Sequence, residues 1–158
     1  IQSVIDNYKK QYGNNHINVA TSMNDLALIM YYNKGDNLQI ETLFNLSLDV
    51  IKSNLNDDNP IYADVLKNLS LFYLETNRLD NAESVLETAN KIWAAKFGTD
   101  DRHAADYNYI KGMINYRRTR YADANTCFIK AKGIYSSKFS TKHPDYLRAL
   151  AKSGQMYY

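Results

Sequence analysis

Residues 59–98 read NPIYADVLKNLSLFYLETNRLDNAESVLETANKIWAAKFG. Asn59 is a good N-cap, and Pro60 falls at the first helical position, where its missing N–H is no loss. Ala63, Leu66, Leu69, Ser70 and Tyr73 then form one apolar helical face. Thr76-Asn77-Arg78 interrupts that face. Leu79, Ala82, Leu86, Ala89, Ile92 and Phe97 resume it, and Gly98 supplies a C-cap. The stretch predicts two helices joined by a short turn.

The same plan recurs on both sides. His16-Ile17-Asn18-Val19-Ala20, Asn59-Pro60-Ile61-Tyr62-Ala63, Asp101-Arg102-His103-Ala104-Ala105 and His143-Pro144-Asp145-Tyr146-Leu147 begin 43, 42 and 42 residues apart. A small residue follows each segment at the same interval: Ala27, Ser70, Gly112 and Gly154. A fixed period in this range means stacked supersecondary units, none of which buries its apolar face alone. Small residues fit because antiparallel helices approach closely only where side chains are small. Glycine inside a helix costs roughly 1 kcal/mol against alanine, and a close crossing at Gly112 offsets that cost.

The third repeat places Ala105 and Gly112 in its first helix, and Tyr121, Ala124, Phe128, Ala131, Ile134 and Phe139 in its second. The first repeat carries Ala27 and Met30, then Ile40, Phe44, Ser47, Val50 and Leu55, across a turn, Asn33-Lys34-Gly35-Asp36, that reads one residue longer. Upstream, Ile1, Val4, Ile5, Tyr8 and Tyr12 read as the second helix of a preceding repeat. Residues 143–158 read as the first helix of a following one. The expected fold is an all-α, right-handed superhelical solenoid of antiparallel helix pairs. It forms a single domain over 1–158, with full repeats at 16–58, 59–100 and 101–142 flanked by 1–15 and 143–158. Helices are expected near 1–12, 17–33, 37–54, 60–76, 79–97, 103–118, 121–138 and 144–158.

Composition narrows the function classes. At 45% hydrophobic and 23% charged, the 158-residue chain is globular rather than disordered. Its net charge of +2 gives no strong pull towards nucleic acid or anionic membrane, so neither is expected as a partner. No apolar run approaches the roughly 18 residues that span a bilayer. A single cysteine, Cys127, excludes an internal disulfide framework and fits a reducing, cytoplasmic compartment. There is no Gly-rich phosphate loop, no His-Glu-x-x-His, no Cys-x-x-Cys and no credible triad. No catalytic, cofactor or metal residues are assigned, and the chain is not expected to be an enzyme. It opens at Ile1-Gln2-Ser3-Val4-Ile5 and closes at Met156-Tyr157-Tyr158, both inside amphipathic patterns. We expect a fragment of a longer array, its apolar ends covered by neighbouring repeats or by self-association.

Individual residues carry competing readings. His16 and His143 share the repeat-start position with Asn59 and Asp101. Helix capping, common to all four, is favoured over metal ligation. His103 is expected to be exposed. Cys127 reads as a structural thiol rather than a nucleophile. Arg117-Arg118-Thr119-Arg120 falls at a turn within a repeat, with Lys34 and Arg78 at equivalent turns. Asp57-Asp58 and Asp100-Asp101 fall between repeats. Either these are solvated turns, or the basic rim orients an acidic partner. Tyr73, Tyr121 and Tyr135 fall near core positions. Tyr31, Tyr32, Tyr109 and Tyr116 fall on a first-helix face, and tyrosine is a good interface residue.

The pattern resembles the tetratricopeptide repeat. Its small, aromatic, Ala, aromatic, Ala spacing is met by Ser70, Tyr73, Ala82, Leu86 and Ala89, and again by Gly112, Tyr121, Ala124, Phe128 and Ala131. The ordinary unit is about 34 residues. The longer unit here is similar to the kinesin light chain variety, with its F-G-x-x-H-P-x-x-A-x-x-x-N-N-L-A motif. Tyr12-Gly13-Asn14-Asn15-His16, Ala20 and Asn24-Asp25-Leu26-Ala27 approximate it, as does Phe139-Ser140-Thr141-Lys142-His143-Pro144. Asn115 departs from the usual tyrosine, and Ile110-Lys111 from Asn-Leu. The resemblance implies a protein-interaction scaffold that holds a peptide or protein partner in a concave groove. Counting from the small residues places Asn24, Tyr31, Lys67, Asn68, Leu71, Tyr109, Met113, Tyr116, Arg148 and Lys152 there, with Thr21, Asp25, Leu28, Asp64 and Asp106. Carboxamides suit a peptide backbone, and Lys67, Arg148 and Lys152 suit acidic side chains. The alternative is a regulatory or sensing array of a larger multidomain enzyme, with no chemistry of its own, since bacterial arrays of this type are often fused to protease-like, kinase or cyclase domains.

Overall fold

The computed structural model describes residues 2–13 and 16–154. Eight helices follow one another without a strand among the described residues: α1 (Gln2–Tyr12), α2 (Ile17–Tyr32), α3 (Asn37–Leu55), α4 (Pro60–Glu75), α5 (Leu79–Phe97), α6 (Arg102–Arg117), α7 (Tyr121–Lys138) and α8 (Pro144–Gly154). They form an all-α repeat solenoid in which α2/α3, α4/α5 and α6/α7 are antiparallel pairs. Ile1, Asn14, Asn15 and residues 155–158, which the sequence reading used, lie outside the described residues. So do the side chains of Val4, Ile5, Tyr8 and Tyr12.

Capping fixes where the first helices begin. His16 Nδ1 accepts from Asn18 N at 3.2 Å, Asn59 Oδ1 from Ile61 N at 2.9 Å, Asp101 Oδ1 from Ala104 N at 2.9 Å and His143 Nδ1 from Asp145 N at 3.3 Å. Each satisfies a first-turn N–H that has no helical partner, about 0.5–2 kcal/mol of helix stability. The turns inside the pairs span 33–36, 76–78 and 118–120, so the first is indeed one residue longer. Each turn puts one residue at positive φ: Lys34 at 53°, Asn77 at 59° and Thr119 at 61°. These three positions are themselves 43 and 42 apart.

The core runs along the inner faces of the pairs. A continuous apolar cluster extends from Ala20 to Ile114 and includes Phe44, Ile51, Phe72, Leu86 and Trp93. A smaller one joins Ala105, Ala131, Tyr135 and Ala149. The small residues lie where helices cross. Ala27 and Ser70 are fully buried, and Ser70 Oγ donates to Ala82 O on the paired helix at 2.8 Å. At Gly112 a Cβ would stand 2.6 Å from the buried Phe128 ring. Gly154 differs: a Cβ there meets nothing within 4 Å, because no paired second helix lies across from it among the described residues.

Two further expectations are corrected. Tyr121 is 52% exposed rather than part of the core. It begins α7 and stacks outside the pair against Tyr116, centroids 5.6 Å apart. His103 is not exposed. Its ring lies 4.6 Å from Phe97 and 5.1 Å from Trp93, with Nδ1 2.6 Å from Asp101 Oδ2. His143 fills the same slot one repeat later, between Tyr135 and Phe139. An imidazole packed on the C-terminal aromatics of the preceding second helix thus closes each of these two inter-repeat loops.

Candidate partner-binding groove

The first helices line a concave groove of about 670 Å³. Tyr31 and Tyr32 come from α2, and Lys67, Asn68, Leu71, Leu74 and Glu75 from α4. Arg102, Asp106, Tyr109, Ile110 and Met113 come from α6, and Asp145 and Arg148 from α8. Tyr135 reaches the floor from α7. Successive first helices present equivalent faces to one side because the repeats are in phase.

Seven of the ten residues expected in the groove line it: Tyr31, Lys67, Asn68, Leu71, Tyr109, Met113 and Arg148. Asn24 joins it indirectly, accepting at Oδ1 from Asn68 Nδ2 at 3.0 Å. That bond ties α2 to α4, and Asn24 Nδ2 donates to Asp25 Oδ1 at 3.2 Å, so two donors and one acceptor of the carboxamide pair are engaged before any peptide arrives. Tyr116 and Lys152 lie apart from it and face each other, the Lys152 ammonium 5.8 Å from the Tyr116 ring centroid. Sequence counting missed Glu75, Arg102, Leu74, Ile110, Tyr135 and Asp145. The first two sit near helix ends, where turn geometry decides the direction of the side chain. Tyr135 enters from a second helix.

The groove is zwitterionic. Lys67 Nζ lies 3.8 Å from Asp106 Oδ2, Arg102 Nη2 lies 3.9 Å from Asp145 Oδ2, and Arg148 Nη1 lies 3.1 Å from Asp145 Oδ1. Of the cations assigned to an acidic partner, Lys67 and Arg148 are therefore already held by carboxylates of the groove itself. Tyr135 donates to Asp106 Oδ1 at 2.5 Å, and burial with the Asp106 charge pushes its phenol far above the ordinary range. Burial likewise raises Tyr31 and Tyr109. These phenols remain protonated donors at any physiological pH.

Of the basic turn residues, Arg78, Arg117 and Arg118 are already paired with carboxylates. Arg78 Nη1 donates to Glu41, which also accepts from Tyr73 Oη at 2.8 Å. Arg118 is held by Asp80 and Glu83. Lys111 Nζ lies 2.5 Å from Glu83 Oε1 and 2.6 Å from Glu87 Oε1. Burial by itself would lower the Lys111 ammonium; the two carboxylates hold it above its ordinary value instead. Arg117 reaches Glu75 at 3.5 Å. Glu41 and Glu83 are 42 residues apart, and each clasps the repeat that follows. Asp57 and Asp100 of the acidic loops are paired too, with Lys52 and Lys138, both at 2.9 Å.

No group of His, Cys, Asp and Glu able to hold a metal ion occurs among the described residues. Cys127 is half-buried, and burial raises its thiol above the usual value. Asn115 Nδ2 donates to its Sγ at 3.9 Å. A protonated, hydrogen-bonded thiol of this kind is a packing residue.

At the sequence level no family model and no curated protein matches this chain. Solved structures do match. BtubC (BKLC) from P. vanneervenii superposes with a TM-score of 0.76 at 16% identity, over 88% of this chain and 55% of that one. A kinesin light chain protein of Podosopora anserina with nearly identical TPR-like repeats superposes with a TM-score of 0.74 at 15% identity, over 99% of this chain and 74% of that one. The fold is thus that of the tetratricopeptide-like repeats of kinesin light chain type. The chain spans little more than half the length of the BtubC protein. No helix among the described residues is long and apolar enough to cross a membrane.

Proposed function

We propose that this chain is a protein-interaction scaffold that holds an extended polypeptide in the concave groove. Solenoids of this kind generally mediate protein–protein interaction through their extended concave surface. The observation that carries the reading is the groove's lining. Tyr31, Tyr109, Leu71 and Met113 offer an apolar centre, flanked by the Lys67–Asp106 and Arg148–Asp145 pairs. Aromatic and aliphatic anchors surrounded by polar groups are how interfaces concentrate binding energy. Because the cations are internally paired, a partner gains by offering both signs of charge in register, not acid alone. No chemistry of its own is assigned to the chain, and the same groove would serve within a larger multidomain protein.

The test is a displayed peptide library selected on the protein, repeated with Tyr109→Ala and Asn68→Ala. Selected peptides should lose most of their affinity for Tyr109→Ala, and hydrogen-exchange protection should centre on α4 and α6. Peptides indifferent to both changes would refute the groove reading.

A further inference from the structure

Two loops between repeats carry the same His and Asp with their places exchanged. Asp101 and His143 stand at equivalent positions, 42 residues apart, and so do His103 and Asp145. In the earlier loop the carboxylate caps the helix. Asp101 Oδ1 accepts from Ala104 N at 2.9 Å, and Oδ2 lies 2.6 Å from His103 Nδ1. In the later loop the imidazole caps it. His143 Nδ1 accepts from Asp145 N at 3.3 Å, and Asp145 Oδ2 lies 3.7 Å from the same nitrogen. A ring nitrogen accepts only while it carries no proton. A proton on His103 Nδ1 therefore strengthens its loop, whereas one on His143 Nδ1 ends the cap. Asn59 caps the equivalent helix with a carboxamide that takes up no proton.

The groups around His143 decide what a proton does there. From α7, the rings of Tyr135 and Phe139 lie against it. Tyr135 Oη donates to Asp106 Oδ1 of α6, so that carboxylate is already engaged. On α8, Asp145 Oδ1 accepts from Arg148 Nη1 at 3.1 Å. Asp145 Oδ2, the oxygen nearer His143, also faces Arg102 Nη2 of α6 at 3.9 Å. Lys142, the preceding residue, is exposed. We infer that His143 is a proton-operated latch at the C-terminal end of the groove. With the ring neutral, Nδ1 holds the Asp145 N–H and leaves the carboxylate to Arg102 and Arg148. With Nδ1 protonated, the ring releases the amide and donates to Asp145 Oδ2, a charge-assisted bond in place of a neutral one. Arg102 then faces the groove without its carboxylate, and this end gains one positive charge. Imidazole is the side chain that changes charge between about pH 8 and 5. Arg102, Asp145 and Arg148 all line the groove, so a carboxylate of the partner is held more tightly there as the pH falls. That consequence rests on the groove reading; the latch itself does not.

The experiment compares the wild type with His143→Asn, because Asn59 shows that a carboxamide caps this position. Nitrogen NMR of the wild-type ring should find Nδ1 unprotonated at about pH 8 and protonated at about pH 5.5. The Asp145 amide signal should move with the same midpoint, and should stay in place in His143→Asn. A labelled hexa-aspartate peptide, whose carboxylates stay ionised over this range, is the binding probe. It should bind the wild type about 2- to 5-fold more tightly at the lower pH, and His143→Asn without that gain. Arg102→Gln leaves the latch in place, so it should keep the amide movement and lose the gain; it serves if His143→Asn fails to fold. A ring that already carries its proton on Nδ1 at about pH 8 overturns the inference. So does an Asp145 amide that titrates alike in the wild type and His143→Asn, or an equal gain in affinity for both. A probe that binds neither protein, while the amide still moves in the wild type alone, counts against the groove reading and leaves the latch standing.

Discussion

Glycines 112 and 133 both interrupt helices, yet their contacts give them opposite roles. A methyl at 112 would press into the fully buried Phe128 ring, at 2.6 and 2.8 Å, and Phe128 has no room to withdraw. Gly112→Ala should therefore destabilise the protein by about 1–3 kcal/mol despite alanine's better helix propensity. Gly133→Ala meets open space and should stabilise it by about 0.5–1 kcal/mol. Urea titration of both variants checks the pair, and equal shifts of the same sign would remove the crossing argument. The small residue at 112 was legible from its recurrence alone. His103 and Tyr121 were not: both stand at the edge of a helix, where a rotation of one residue decides between burial and exposure. His103 turns in because Phe97 and Trp93 offer a stacking slot, whereas Tyr121 starts α7 with nothing across from it but Tyr116.

Between elements, the decisive interactions are carboxylates of one second helix received by the next repeat. Helix ends and faces could be read from the sequence because caps and apolar periodicity are local. The pairing of Arg78 with Glu41, or of Arg118 with Glu83, could not. Partners 35 or 37 residues apart meet only once the angle between repeats is fixed, and so the turns read either as solvated or as a basic rim. Lys111 and Arg118, by donating to it, hold the Glu83 carboxyl below its ordinary value of 4.5. A carboxylate depressed in the folded state adds stability that is full above the unfolded value and is lost as pH falls through the folded one. Stability should accordingly decline below about pH 5, and Glu83→Gln should flatten part of that decline. At neutral pH the same change should cost roughly 1 kcal/mol, because the pairs are partly solvated. Thermal melts across the acid range measure both, and identical pH profiles for the two proteins would show that Glu83 contributes nothing through its charge.

Across the molecule, stability is a sum of helix pairs and the junctions between them. The large apolar cluster spans α2 to α6, while α8 shares only the smaller one with α6 and α7. Amides of α4 and α5 should exchange slowest, and those of α1 and α8 fastest, in native-state hydrogen exchange. Uniform protection along the chain would indicate one cooperative unit rather than a graded stack. The spacing of the elements has a consequence for heredity as well. Helices α3 and α5, and likewise α4 and α6, start 42 residues apart. A crossover between equivalent codons would thus add or delete one whole helix pair and leave every remaining junction in phase. A slip one codon out of step survives only where a turn takes up the difference, as residues 33–36 do. Recombination can lengthen or shorten such a chain in whole units, while each junction keeps its own pairing, Glu41 with Tyr73 and Arg78 and Glu83 with Lys111 and Arg118.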